Sequence, residues 1–254
     1  MSRSQGPRPG NPRAIRRSAR AGALLLTAVW FVSAIQIQAG FAGAMTVNSA
    51  NLTVYRSCVL SGTIAASTSM IESYVDQANA TTNFGGATTM LVASKSSTTL
   101  NQRSYVTFDL SKCSPAIPST ATVTNATLRL WVTAIATACR TEDIFPVTAA
   151  WTETAITWNN QPFGTTLNNP ASGTRTDGVT VGSNPCTYLA AAQYVSWNVT
   201  ADVVKFVAGT MTNNGWMIRD DVESASTTAR TNTFGTSDAA SVPQAPQLVV
   251  SYSK

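Results

Sequence analysis

Two short segments carry arginine and aromatic side chains at a spacing suited to gripping a flat ligand rich in hydroxyl or carboxylate groups. In residues 103–110, RSYVTFDL, Arg103, Tyr105, Thr107 and Asp109 alternate with Val106, Phe108 and Leu110. In residues 127–133, TLRLWVT, Thr127, Arg129, Trp131 and Thr133 alternate with Leu128, Leu130 and Val132. Side chains of a strand point to opposite faces with period two, so each segment is expected to turn its aliphatic residues into a core and the others outward. Aromatic rings stack on the C–H faces of sugars, and a guanidinium donates two parallel hydrogen bonds to a carboxylate or sulfate. The expected site is therefore Arg103, Tyr105, Arg129 and Trp131 on one open sheet face, with Arg219, in the strand after Trp216, extending the patch. The competing structural expectation is that these arginines pair with Asp109, Glu142 or Glu153 and that the aromatics pack under a loop. Cross-strand pairs of those types are ordinary sheet stabilisers.

Other chemistries lack their residues. The 254 residues include no histidine, which excludes Ser-His-Asp and Cys-His catalysis, histidine-ligated zinc and a histidine pH switch. Glu142, Asp143 and Glu153 are close in sequence. Glycoside hydrolysis needs two carboxylates at a fixed separation, and nothing in this spacing fixes one. The chain is expected not to be an enzyme, a polysaccharide lyase or hydrolase being the enzymatic alternative. The run Trp151-Thr-Glu153 to Trp158-Asn159-Asn160-Gln161-Pro162 resembles an active-site motif but reads as architecture: Asn side chains close turns, and Trp158 is expected to pack at a corner. No cofactor is required. A structural calcium is compatible with Asp76, Asn79 and Asn83, or with Asp220, Asp221 and Glu223, although neither set has EF-hand spacing and solvated loop carboxylates are the simpler reading.

The elements that must position these residues read as all-β. From about residue 70, short runs rich in Val, Thr, Ile and aromatics alternate with Gly, Asn, Pro and Ser clusters, the signature of a sandwich or barrel. Strands are expected at 71–75, 89–93, 104–110, 126–133, 143–148, 154–158, 194–199, 215–219, 230–234 and 247–252. One short helix is expected from Thr200 as N-cap, through ADVVKFVA, to Gly209 at the C′ position.

The chain's net charge of +5 belongs to its first segment: six of the seventeen basic residues lie in 1–44, which has no acid, leaving eleven basic against twelve acidic residues. Nucleic-acid binding thereby loses its electrostatic support. Residues 1–20 are arginine-rich, 21–35 are an apolar run, and Ala42-Gly43-Ala44 is a cleavage pattern. Together they read as a secretory signal peptide. The apolar run is short for a span, so a membrane role is expected only if the leader stays uncleaved. Arg16-Arg17 lacks the apolar continuation of a twin-arginine signal. Residues 45–69 read as a polar lead-in and 70–254 as one domain, expected to be monomeric. Cys58, Cys113, Cys139 and Cys186 fit two disulfides in an exported protein. Of three pairings, Cys58–Cys113 with Cys139–Cys186 leaves the loops unentangled.

Seven segments in order resemble the DNRLRE domain family, also described as disaggregatase-related. They are SYVDQANATTNFGG (73–86), RSYVTFDLSKC (103–113), ATVTNATLRLWV (121–132), VTAAWTETAITWNNQP (147–162), WNVTADVVKFVAG (197–209), NNGWMIRD (213–220) and PQLVVSY (246–252). The resemblance implies a secreted or cell-surface jelly-roll β-sandwich of two antiparallel sheets with one short helix. It further implies a non-catalytic carbohydrate-binding module, some members binding acidic polysaccharides. Here the domain is expected to stand alone, and acidic-glycan binding needs a local basic patch because the mature chain is not basic. A structural or adhesive protein of the cell surface or matrix is the alternative.

Overall fold

Alternating β-rich segments become strands wherever one face of each can be buried. The computed structural model describes residues 53–62, 69–94, 100–169, 173–182, 186, 191–224, 230–239 and 245–254. The leader at 1–44 lies outside them. Among the described residues are eleven strands, β1 (Tyr55–Ser61), β2 (Met70–Asp76), β3 (Thr89–Ser94), β4 (Gln102–Phe108), β5 (Thr122–Ala134), β6 (Arg140–Pro146), β7 (Asp177–Val181), β8 (Gln193–Asn198), β9 (Trp216–Asp220), β10 (Arg230–Gly235) and β11 (Gln247–Ser253), one α-helix, α1 (Thr200–Val207), and a single 3-10 turn at Leu110–Lys112.

All ladders are antiparallel, and they form two layers. One is β1–β11–β5–β8 and the other β2–β4–β9–β6–β7. The β3–β10 ribbon joins them: β10 pairs the far end of β5, and β3 touches β4 through Ala93 and Gln102. The expected two sheets are thus stitched into one hydrogen-bonded network. Between the layers sits the main core, with Leu128, Leu130 and Val132 of β5 facing Val106 and Phe108 of β4, and Trp197 and Trp216 between them. Helix α1 closes one end through Val203 and Phe206. Its N-cap is Val199, because Thr200 Oγ1 instead accepts from the Ala126 amide. Gly209 takes φ +70° at the helix end, as the C′ reading requires.

Two differences from the sequence reading have clear causes. Strand β1 lies inside the stretch read as a lead-in. In YRSCVLS, Cys58 and Leu60 are buried and pair inward-facing Val250 and Leu248 of β11, so two apolar positions suffice when a strand is already waiting. The Cys58–Cys113 disulfide then pins β1, and Cys139–Cys186 is the second bridge; both have Cα–Cα distances of 5.5 Å, and the pairing is the expected one. Conversely, 154–158 is a turn rather than a strand, because Asn160 Oδ1 accepts from the Thr157 amide and its Nδ2 donates to the Ala155 carbonyl.

One end of the core is polar. Glu142 of β6 is fully buried on the inner face, with Asn232 Nδ2 donating to Oε1 at 2.6 Å, and Asp220, its cross-strand neighbour, takes ion pairs from Arg140 and Arg230. Burial, with the Asp220 charge adding to it, pushes the Glu142 carboxyl up to about 8. The folded protein therefore holds a proton that the unfolded chain releases near pH 4.5. The contribution of Glu142 to stability is complete below that pH, declines by on the order of 1 kcal/mol per pH unit from there to about 8, and is lost above it. Urea unfolding from pH 5 to 9 should show this slope in the wild type and lose it in Glu142→Gln, which keeps the acceptor for Asn232.

Candidate functional site

The four residues expected to share one surface divide between two layers. On β4, Arg103 and Tyr105 do point away from the main core, but that face is covered by the connection from Val147 to Asn169, which packs a second core of Ile156, Trp158 and Phe163 against it. Arg103 is 1% exposed and Tyr105 is 0% exposed. The Arg103 guanidinium forms a buried ion pair with Glu223 at 2.7 Å. It also donates to Gln161 Oε1 and to the carbonyls of Gly164 and Thr166, and it stacks 4.7 Å over the Trp158 ring. Tyr105 donates to the same Gln161 Oε1, and burial pushes its hydroxyl well above the usual tyrosine range. Arg219 is 7% exposed, donates to the carbonyls of Asp220 and Asp221, and lies 4.9 Å over Phe145. The expectation that Arg103, Tyr105 and Arg219 lie on an open face is therefore corrected. Arg103 and Tyr105 clamp a covering loop to the sheet, whereas Arg219 is held by the carbonyls that follow it and by Phe145 of β6; the acid that pairs with Arg103 is Glu223, not one of those anticipated.

Strand β5 behaves differently because, among the described residues, nothing covers its outward side. Arg129 is exposed and Trp131 half-buried. In register beside them on β8 are Ser196 and Tyr194. Trp131 and Tyr194 meet edge to face at 5.0 Å, and Arg129 lies 5.8 Å from the centre of the Tyr194 ring. Arg129 has no carboxylate partner among the described residues. Burial raises the Tyr194 hydroxyl, and Arg129 pulls it back. Farther along the same face, Asn198 opens onto a shallow depression with Thr176, Asp177, Thr200 and Ala201. Tyr194 is the member that sequence reasoning missed. In QYVSWN, Val195 and Trp197 are buried and Tyr194, Ser196 and Asn198 are not, so the same period-two reading would have found it.

Glu142 and Asp143, adjacent on β6, point to opposite faces of the strand. Asp143 is held by Arg175 at 2.8 Å, while Glu142 is in the polar end of the core. Side chains of both loop clusters considered for calcium make hydrogen bonds or ion pairs within the protein. Asp76 accepts from the Ala78 amide and Asn79, and Asn83 donates to the carbonyls of Glu153 and Ile156. Asp220 and Asp221 pair with Arg140, and Glu223 with Arg103. Glu153 instead lies with Glu72 and Asp238, their carboxylate oxygens within 4.8 Å of one another. Burial and the two neighbouring charges raise the Glu153 carboxyl to about 7, and burial raises that of Glu72. A cleft of about 250 Å³ lies beside the covering loop, lined by Trp151, Ile156 and Asn160, but the Trp151 indole is tied to the Asn214 carbonyl.

Comparison with protein-family models matches residues 63–252 to carbohydrate-binding module family 96. No curated protein matches the chain.

Proposed function

The chain belongs to carbohydrate-binding module family 96, and from that premise we propose that it is a secreted, non-catalytic module that holds an acidic polysaccharide on the outward face of β1, β11, β5 and β8. Carbohydrate binding itself comes with the family, as does the absence of catalysis. The single observation that carries the finer reading is Arg129, exposed, free of any carboxylate partner among the described residues, and set against Tyr194 beside Trp131. Arg56 of β1 is also exposed but shares the strand parity of buried Cys58 and Leu60, so Arg129 is the one charged residue that these four strands place at an outward position. A cation left unpaired beside two rings suits a uronate, whose carboxylate takes the guanidinium while its C–H face meets an aromatic. The DNRLRE resemblance points to the same ligand class. Secretion is supported by the leader pattern and by two disulfides, which persist in oxidising compartments. Among the described residues no helix is long and apolar enough to cross a membrane.

Arg129→Ala should weaken binding to a polyuronate by about 10-fold or more and flatten its salt dependence, because an exposed charge pair is screened by ions. Binding to a neutral glycan should be unaffected. Calorimetry at two ionic strengths measures both. Silence toward every glycan from folded protein would favour the adhesive alternative, with strand addition at β1, whose Tyr55 and Val59 are exposed.

A further inference from the structure

We propose that Glu72, Glu153 and Asp238 form a divalent-cation site of the calcium class that ties β2 to the two loops beside it. The three carboxylates come from β2, from the covering connection and from the turn after β10, and each offers an oxygen within 4.8 Å of the others. No arginine or lysine among the described residues forms an ion pair with any of them. Glu72 supplies the observation that separates this group from an ordinary acidic patch. It is 1% exposed, and the amide and hydroxyl of Ser237 both donate to its Oε1, at 2.6 and 2.5 Å. Its other oxygen, Oε2, is buried and has no hydrogen-bond partner. A buried carboxylate oxygen without a donor is expensive unless a proton or a cation meets it, and here, unlike at Glu142, two further carboxylates lie beside it as a cation needs.

The surrounding backbone brings the acids together. A Cβ on Gly85 would sit 2.3 Å from the Glu153 carbonyl oxygen, and one on Gly62 would sit 2.4 Å from the Ser237 Cβ. Asn83 holds the Glu153 carbonyl at 2.7 Å. Both loops are thus packed tightly enough to press Glu153 and Asp238 toward Glu72, against the mutual repulsion of three carboxylates.

The donor set selects the ion. All three ligands are hard oxygens, which suit calcium or magnesium rather than zinc or copper. Carboxylates supplied by three separate segments suit calcium, whose oxygen shell is flexible in number and angle, better than magnesium, which demands a near-ideal octahedron. Partial exposure of Glu153 and Asp238 leaves room for water to complete the shell.

The test does not depend on any glycan. Full-length, oxidised, chelator-stripped protein is titrated with calcium chloride by calorimetry and followed by thermal unfolding. One calcium should bind per chain, raising the midpoint by about 5–10 °C at about 100-fold excess over the dissociation constant. Asp238→Asn, at an exposed turn, should fold normally and bind calcium at least about 10-fold more weakly, and Glu72→Gln should do the same. Asp109→Asn, an exposed acid elsewhere, should change nothing. No heat and no midpoint shift at millimolar calcium, or an undiminished shift in Asp238→Asn, would overturn the site. An equal shift with magnesium would overturn its calcium class.

Discussion

Replacing Arg103 by methionine should cost about 3–5 kcal/mol of folding stability, the usual penalty for stranding one member of a buried ion pair. The loss concentrates on one segment. Besides Glu223, the guanidinium holds Gln161, Gly164 and Thr166 and supports the Trp158 ring, so its removal frees the middle of the covering connection. Glu223 would also lose its counter-charge while keeping the Asn168 amide. Glu223→Gln should be damaging for the mirror-image reason, and the double variant should lose less than the sum of the two. Urea unfolding gives the magnitudes, and limited proteolysis within 158–169 should quicken before global unfolding. A cost under about 1 kcal/mol would mean that the apolar contacts of Trp158 and Phe163 alone hold the loop. Glycan affinity per folded molecule should not change, because Arg103 is an internal anchor.

Truncating Trp131 should do the reverse. Trp131→Ala removes a half-buried ring that meets Tyr194 on an uncovered face, so its stability cost should stay within about 1–2 kcal/mol. Its effect on binding should be at least about 10-fold, since aromatic anchors dominate recognition surfaces. Trp158→Ala is the matched contrast. That ring is buried against Arg103, and its loss should cost about 3–5 kcal/mol while leaving the affinity of the folded fraction intact. Denaturation and calorimetry on the two variants should therefore move in opposite columns. Equal effects in both measurements would remove the distinction between the covered and uncovered layers.

The division of Arg103 and Tyr105 from Arg129 and Trp131 marks where sequence reasoning reached its limit. Alternation in β4 and β5 correctly told which residues turn away from the main core. It could not tell that one of those outward faces receives a second core. The cover is an irregular connection whose apolar residues, Ile156, Trp158 and Phe163, have no period to read and meet β4 only in three dimensions. Local chemistry was legible in the same connection: the Asn160 turn and the buried Trp158 follow from the residue types. Strand β1 escaped notice because its pattern rests on two buried positions, Cys58 and Leu60, and its partner is the last strand of the chain. The cluster of Glu72, Glu153 and Asp238 was equally invisible, because three distant segments supply one acid each.

Ligand should meet the layer carrying Arg129, Trp131 and Tyr194. Indole N–H resonances test it most directly, because the tryptophans of the domain sit in distinct places: Trp131 on the uncovered face, Trp151 beside the cleft, and Trp158, Trp197 and Trp216 inside. On titration with an oligouronate, the Trp131 resonance should shift in a saturable way that Arg129→Ala weakens, while the three buried indoles stay still. Saturable movement of Trp151 with Trp131 unmoved would contradict the account and transfer the site to the cleft lined by Trp151, Ile156 and Asn160.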